Sequence, residues 1–241
     1  MSSKHALTQH EDSMQGTKAT IDLKNYEVLT FDCYGTMIDW ETGVLTAIAP
    51  ILSNHSIQLT DEQIFDAFSE IENEVEAREY IKYREVLRKV IQKMGDRFNF
   101  TPHPTEVDAL ANSLPNWQPF PDTIEALKVL KQKFKLAVIS NVDDDLFAKT
   151  AQHLQVEFDY VITAEQVKSY KPSHDNFHVA FDTIGLPKEK ILHVAASVYH
   201  DIVPAKALGM IAIWVNRRGV KQDSGADLEV PDLKTLADII G

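Results

Sequence analysis

Val28-Leu29-Thr30-Phe31-Asp32-Cys33-Tyr34-Gly35-Thr36 is an apolar run that ends in a carboxylate and then in a Gly-Thr turn. Such a run reads as a buried parallel strand, and a carboxylate at its carboxyl end lies where open α/β sheets bind their ligands. Asp32 is therefore the first candidate nucleophile. The plainer account is that Asp32 only caps the turn, since Asp and Gly are common there.

Further short apolar runs follow: Leu136 to Ile139, Tyr160 to Ile162, Ile191 to Ala195 and Ile211 to Val215. Helical patterns separate them, at Asp122 to Lys133, Asp145 to Gln152, His174 to Ile184, Asp201 to Leu208 and Leu233 to Ile240. Strands alternating with helices predict an α/β fold, a doubly wound parallel sheet with right-handed crossovers. Residues 39–118 break this rhythm, with helical periodicity and no strand signal. They are predicted to form an inserted helical cap, leaving 21–38 and 119–241 as the core. In the cap Ile64, Phe68, Ile71 and Val75, then Tyr83, Leu87, Val90 and Met94, recur at helical spacing and mark a buried face. Glu70, Glu72, Glu74, Glu76 and Glu79 crowd the same stretch and read as a solvated face, with Glu74 and Arg78 as an i,i+4 pair. Leu114-Pro115-Asn116-Trp117-Gln118-Pro119-Phe120-Pro121 reads as the return hinge.

Composition narrows the function. With 241 residues and 44% hydrophobic content the chain can build a substantial core. A net charge of −12 disfavours nucleic-acid and anionic-membrane partners, and no apolar run reaches the length of a membrane span. A single cysteine, Cys33, excludes an internal disulfide and fits a cytoplasmic protein. Met1 to Thr20 are polar and read as a flexible arm.

Four strand ends carry polar groups in a telling order. Asp32 and Thr36 come first, then Ser140-Asn141, then Ser169-Tyr170-Lys171-Pro172, then Ala195-Ala196-Ser197 with Asp201 beyond. Singly these residues are ordinary loop or capping groups. Their succession resembles the four-motif pattern of the haloacid dehalogenase superfamily, and the resemblance runs from Tyr26 to the chain end, including Trp214-Val215-Asn216-Arg217-Arg218-Gly219. Phosphatases of that superfamily usually carry an acid two residues after the nucleophile, where this chain has Tyr34, and an acid in the fourth motif, where it has Ala195-Ala196. Asp-x-Tyr-Gly-Thr followed by Asp39-Trp40 instead resembles the type II, L-2-haloacid dehalogenase branch, which uses no metal.

That resemblance implies attack by Asp32 on a halogen-bearing carbon of a small molecule, and hydrolysis of the resulting ester. It implies that Lys171 neutralises Asp32 and is oriented by Asp201, that Thr36, Ser140 and Asn141 position the carboxylate and substrate, and that Ser197 holds water or Lys171. Tyr34, Trp40, Phe177 and Tyr199 are expected to wall the pocket. Two departures concern the substrate. Phe177 stands where the branch has a tyrosine, and the cap region Phe68 to Glu72 has no arginine to clamp a substrate carboxylate, with Arg78, Arg84 and Arg88 as possible stand-ins. The alternatives are a Mg2+-dependent phosphatase, with Asp32, Asp201 and the Tyr34 carbonyl on the metal, or a weakly catalytic binding module. A homodimer through the cap is a further expectation from the family.

Overall fold

Six parallel strands form one sheet in the order β3-β2-β1-β4-β5-β6 in a computed structural model that describes residue 21 and residues 23–240. The expected arm falls outside these residues. The strands are β1 (Val28–Phe31), β2 (Lys135–Ser140), β3 (Tyr160–Thr163), β4 (Ile191–Ala195), β5 (Ile211–Val215) and β6 (Leu228–Val230). β1 lies at the centre, with Phe31 opposite Val138 on one side and Val194 on the other. Leu29 and Phe31 pack into one hydrophobic cluster and Val28 into the other, so both sheet faces are covered, as a doubly wound fold requires. β6 was not anticipated from the sequence: with three residues it is too short to show alternation.

The helices of the cap lie between β1 and the next core helix. They are α1 (Trp40–Asn54), α2 (Asp61–Glu76), α3 (Tyr83–Phe98), α4 (Pro104–Val107) and α5 (Ala109–Ser113). Asp39 caps α1, accepting from the Thr42 amide at 3.1 Å, and Thr60 with Gln63 makes a capping box on α2. Every residue of the two predicted apolar stripes is buried: Ile64, Phe68, Ile71 and Val75 on α2, and Tyr83, Leu87, Val90 and Met94 on α3.

Core helices follow as α6 (Thr123–Lys131), α7 (Asp144–Leu154), α8 (Ala164–Val167), α9 (Asp175–Ile184), α10 (Val203–Ala207) and α11 (Leu233–Ile240). The predicted helix Asp201 to Leu208 is shorter and differently wound. A π-helical turn spans Val198–Ile202, and α10 begins only at Val203 with Pro204 in its first turn, where a missing N–H costs nothing. Gly35 (φ +95°) turns the chain after Asp32, in a backbone region that side chains other than glycine avoid.

Candidate active site

The strand order brings the four expected motifs to one end of the sheet. Asp32 follows β1, with one oxygen accepting from Lys171 Nζ at 3.0 Å and the other from Thr36 Oγ1 at 2.7 Å. Thr36 is itself fixed, because its Oγ1 accepts from the Ala196 amide at 2.8 Å. Lys171 is 1% exposed and donates also to Asp201 Oδ1 at 2.6 Å and to the Ile139 carbonyl at 2.8 Å. One ammonium is thus shared by two buried carboxylates.

The charges follow from that sharing. Burial opposes the Lys171 ammonium, but Asp201 and Asp32 outweigh it and its pKa is pushed up to about 12. Asp201 is also buried, yet the shorter contact to Lys171 and a hydrogen bond from His193 hold its carboxyl below the usual range. Burial pushes Asp32 up, Lys171 and Thr36 pull it down, and the nearby Asp201 charge adds to the rise. Both Asp32 oxygens nevertheless accept hydrogen bonds, the pattern of an ionised carboxylate.

His193 joins the site although it belongs to none of the four motifs. It lies fully buried on β4, its Nε2 3.0 Å from Asp201 Oδ1 and its Nδ1 2.9 Å from Thr30 Oγ1. Since a carboxylate only accepts, Nε2 donates to Asp201. The signal was there: Thr30 and His193 are polar breaks in two adjacent strands, and they pair directly in the sheet register.

Other expected site residues are placed differently. Asn141 uses its amide as a brace: Oδ1 accepts from the Lys171 amide at 2.8 Å, and Nδ2 donates to the Lys171 carbonyl at 3.0 Å and to Glu76 Oε2 at 3.1 Å. Ser197 does not touch Lys171. Its Oγ accepts from the His200 amide at 3.1 Å and lies 3.1 Å from His200 Nδ1, because it caps the π-turn. Phe177 is no pocket wall: it is fully buried, its ring 5.2 Å from that of His193. Trp40 packs among Phe65 and Phe68 of the cap, at 5.6 and 5.5 Å, because it starts α1. Tyr34 points its hydroxyl to Thr150 Oγ1 at 2.9 Å, and burial raises its pKa well above the ordinary value. Tyr199 alone of the four aromatics borders the cleft, at 59% exposed.

A cleft of about 350 Å³ lies between cap and core, bordered by Asn73, Glu76, Arg78 and Tyr80 on one side and Lys171 and His200 on the other. Asp32, 7% exposed, sits behind Lys171. The cap is tied down around this cleft. His200 Nε2 lies 2.9 Å from Asn73 Oδ1, Tyr170 donates to the Ile81 carbonyl at 2.7 Å, and Asp143 accepts from the Tyr83 and Arg84 amides at the start of α3. Burial pushes His200 down to about 4, so it is neutral near pH 7.

The acidic face of α2 is not uniformly solvated, contrary to expectation. Glu74 does pair with Arg78 in solvent. Glu72 and Glu76 turn inward: Glu72 accepts from the Tyr83 hydroxyl at 2.5 Å, and Glu76 meets Asn141. Burial pushes Glu72 up to about 7 and, with the Glu72 charge, pushes Glu76 well above the usual carboxylate range. They flank Ile71 and Val75 of the buried stripe, which was the signal available in the sequence. Arg84 and Arg88 pair with Asp145 and with Glu85 and Asp108, away from the cleft lining.

Three buried oxygens have no hydrogen-bond partner among the described residues, Tyr80 Oη, Ser140 Oγ and Asp201 Oδ2. Ser140 ends β2 beside the nucleophile strand and offers a free hydroxyl. Asp201 Oδ2, the Asp32 carboxylate and the Tyr34 carbonyl are hard oxygen donors of the kind Mg2+ takes.

The chain belongs to the haloacid dehalogenase-like hydrolases, whose family model matches residues 26–209. It is 26% identical over 229 residues to (S)-2-haloacid dehalogenase H-109 of Pseudomonas putida, covering 88% of this chain and 96% of that protein. It is 33% identical over 132 residues to a glyceraldehyde 3-phosphate phosphatase of Methanocaldococcus jannaschii, covering 51% of this chain and 57% of that one. A solved hydrolase of the superfamily from Bacillus subtilis, bound to magnesium, shares the fold with a TM-score of 0.75 at 18% identity, over 89% of this chain and 98% of that one. No helix among the described residues is long and apolar enough to cross a membrane.

Proposed function

We propose that this protein hydrolyses a small-molecule phosphate monoester through a covalent intermediate on Asp32. The observation that carries this reading is the cap wall of the cleft, where Glu76 turns toward Asn141 and the arginine on the lining, Arg78, is already paired with Glu74. On this wall the carboxylate of a 2-haloacid would meet no unpaired guanidinium. In a phosphate ester the charge sits at the core end, beside Lys171, Ser140 and Asn141, and the cap meets the departing alcohol.

Asp32 Oδ attacks phosphorus, and the bond to the alcohol oxygen breaks with its electron pair. Lys171, held by Asp201 and in turn by His193, offsets the charge of the nucleophile's carboxylate. Thr36 fixes the carboxylate's orientation, and Ser140 offers a donor to a phosphoryl oxygen. Asn141 sets the position of Lys171 through its backbone. Asp32, Asp201 and the Tyr34 carbonyl would hold Mg2+, which when bound neutralises charge on the transferring group. Because Asp32 is 7% exposed, the cap has to part from the core for substrate to reach it. The domain division at residues 39–118, tested as the moving unit, belongs to the same proposal, as does a cytoplasmic location.

Carbon–halogen hydrolysis is the second reading, favoured by Tyr34 and Ala196 in place of acids and by the dehalogenase relative. The two separate in heavy-oxygen water. Phosphoryl chemistry puts the label in released phosphate, since water attacks phosphorus. Ester hydrolysis after C–halogen attack puts it in the Asp32 peptide, since water attacks the carboxyl carbon. Chelator-sensitive phosphate release that is lost in D32N supports the phosphatase; chloride release from 2-chloropropionate with label in the Asp32 peptide overturns it.

A further inference from the structure

We infer that Glu76, reaching from the cap, is the general acid that protonates the leaving alcohol and then the general base for the attacking water. This rests on the phosphate-ester reading and names the residue that makes it workable.

An alkoxide is a poor leaving group unless protonated, so the reaction needs a proton donor within reach of the bridging oxygen. Two residues after the nucleophile stands Tyr34, and its hydroxyl is turned away to Thr150. On the core side Asp32 and Asp201 are committed to Lys171, and His200 is spanned between Ser197 and Asn73. On the cap side one carboxyl borders the cleft: Glu76, the last residue of α2.

Its position is built. Asn141 Nδ2 holds Oε2 at 3.1 Å, and the same Asn141 grips Lys171 through both amide atoms, so the acid and the ammonium that neutralises Asp32 share one positioning residue. Among the described residues no hydrogen bond engages Oε1, the oxygen left to carry a proton. The groups facing Glu76 are Glu72 on its own helix, Tyr83 on α3, and Tyr170 and Lys171 on the core loop, with Arg78 and Tyr80 along the cleft edge. Burial and the Glu72 charge push its pKa well above the usual carboxylate range, against a smaller opposing pull from Asn141 and Lys171.

The step balances without another reactant. As Asp32 Oδ bonds to phosphorus and the P–O bond to the alcohol breaks, the oxygen takes the Glu76 proton and the alcohol departs. Water then attacks the aspartyl phosphate, giving its proton to the Glu76 carboxylate, and the P–O bond to Asp32 breaks to release phosphate. The enzyme returns to its starting protonation state. A halide leaves without a proton, so this acid would be idle in C–halogen cleavage.

The test compares an alkyl phosphate with p-nitrophenyl phosphate, whose leaving group needs little protonation, in the wild type and in E76Q, with Mg2+ present. The account expects E76Q to lower the alkyl-to-aryl ratio of kcat/KM by about 100-fold or more, in the range general acids supply. It expects the alkaline limb of the wild-type alkyl pH profile to vanish in E76Q. The wild type also gives a reading that needs no variant: kcat/KM across a series of esters is expected to depend weakly on leaving-group basicity, and a steep dependence contradicts the inference. If aryl hydrolysis depends on Asp32 but E76Q leaves the ratio unaltered, Glu76 is not the acid and the phosphatase reading stands. If the wild type hydrolyses neither ester, both fall.

Discussion

Lys171 is the residue on which the electrostatics of the site turn, because its ammonium is enclosed by Asp32, Asp201 and the Ile139 carbonyl. Removing it strands two buried carboxylates. K171M is therefore expected to abolish turnover and to cost about 3–5 kcal/mol of stability, measured by urea unfolding; full stability would mean that the carboxylates are hydrated and the site is more open than described. Glu72 gives a pH signature of its own. Its carboxyl is pushed up to about 7, so the folded protein keeps a proton there that the unfolded chain loses above its ordinary value near 4.5. That contribution is present in full at low pH and is lost as pH rises through about 7. Unfolding midpoints at pH 5 and pH 8 are expected to differ less in E72Q than in the wild type, and an equal difference would show that Glu72 titrates normally. The nucleophile and Ser-Asn motifs were legible in the sequence because each ends an apolar strand, and the lysine because it follows a third, and strand ends converge by topology. Glu72, Glu76 and His193 were not, since which flank of a helix meets the core, or which strand face carries a polar pair, is settled only by tertiary packing.

Among elements, α1 and α4 are stitched at their ends in ways that invite direct tests. Gly43 sits where α1 passes Trp117, and a Cβ there would lie 2.4 Å from the indole. G43A is expected to destabilise the protein by about 1–3 kcal/mol through overpacking, read from the denaturation midpoint; a neutral result would show that α1 slides freely on the hinge. Glu106 takes hydrogen bonds from Asn54 Nδ2 at 2.9 Å, His55 Nε2 at 2.8 Å and the His103 amide at 2.8 Å, tying the end of α1 to the start of α4. Burial would raise its pKa, but these donors prevail and hold it at about 2. E106A is expected to cost about 2 kcal/mol, because three donors lose their acceptor. The two apolar stripes of α2 and α3 could be read from spacing alone, since 3.6-residue periodicity is a local property. The split of the predicted Asp201 helix could not, because the π-turn exists to place Asp201 under Lys171.

For the whole molecule, one apolar cluster runs through both cap and core, and polar ties join the two around the cleft. Asn141 to Glu76, His200 to Asn73, Tyr170 to Ile81 and Asp143 to the start of α3 all cross between them. Such contacts exchange readily with water, which suits a cap that has to open around a nucleophile 7% exposed. The parallel sheet was legible from alternating apolar runs and helices, and the insertion from the loss of that rhythm. What the insertion presents to the cleft was not, and it is the feature that separates the two substrate readings. Both share one claim, a covalent bond between Asp32 and substrate. Turnover of a phosphate ester quenched in acid within its first cycle, followed by mass analysis of the peptide containing Asp32, tests it most directly. The account predicts a transient gain of one phosphoryl group on that peptide, absent in D32N; steady turnover with the peptide unmodified throughout, and activity kept in D32N, would contradict it.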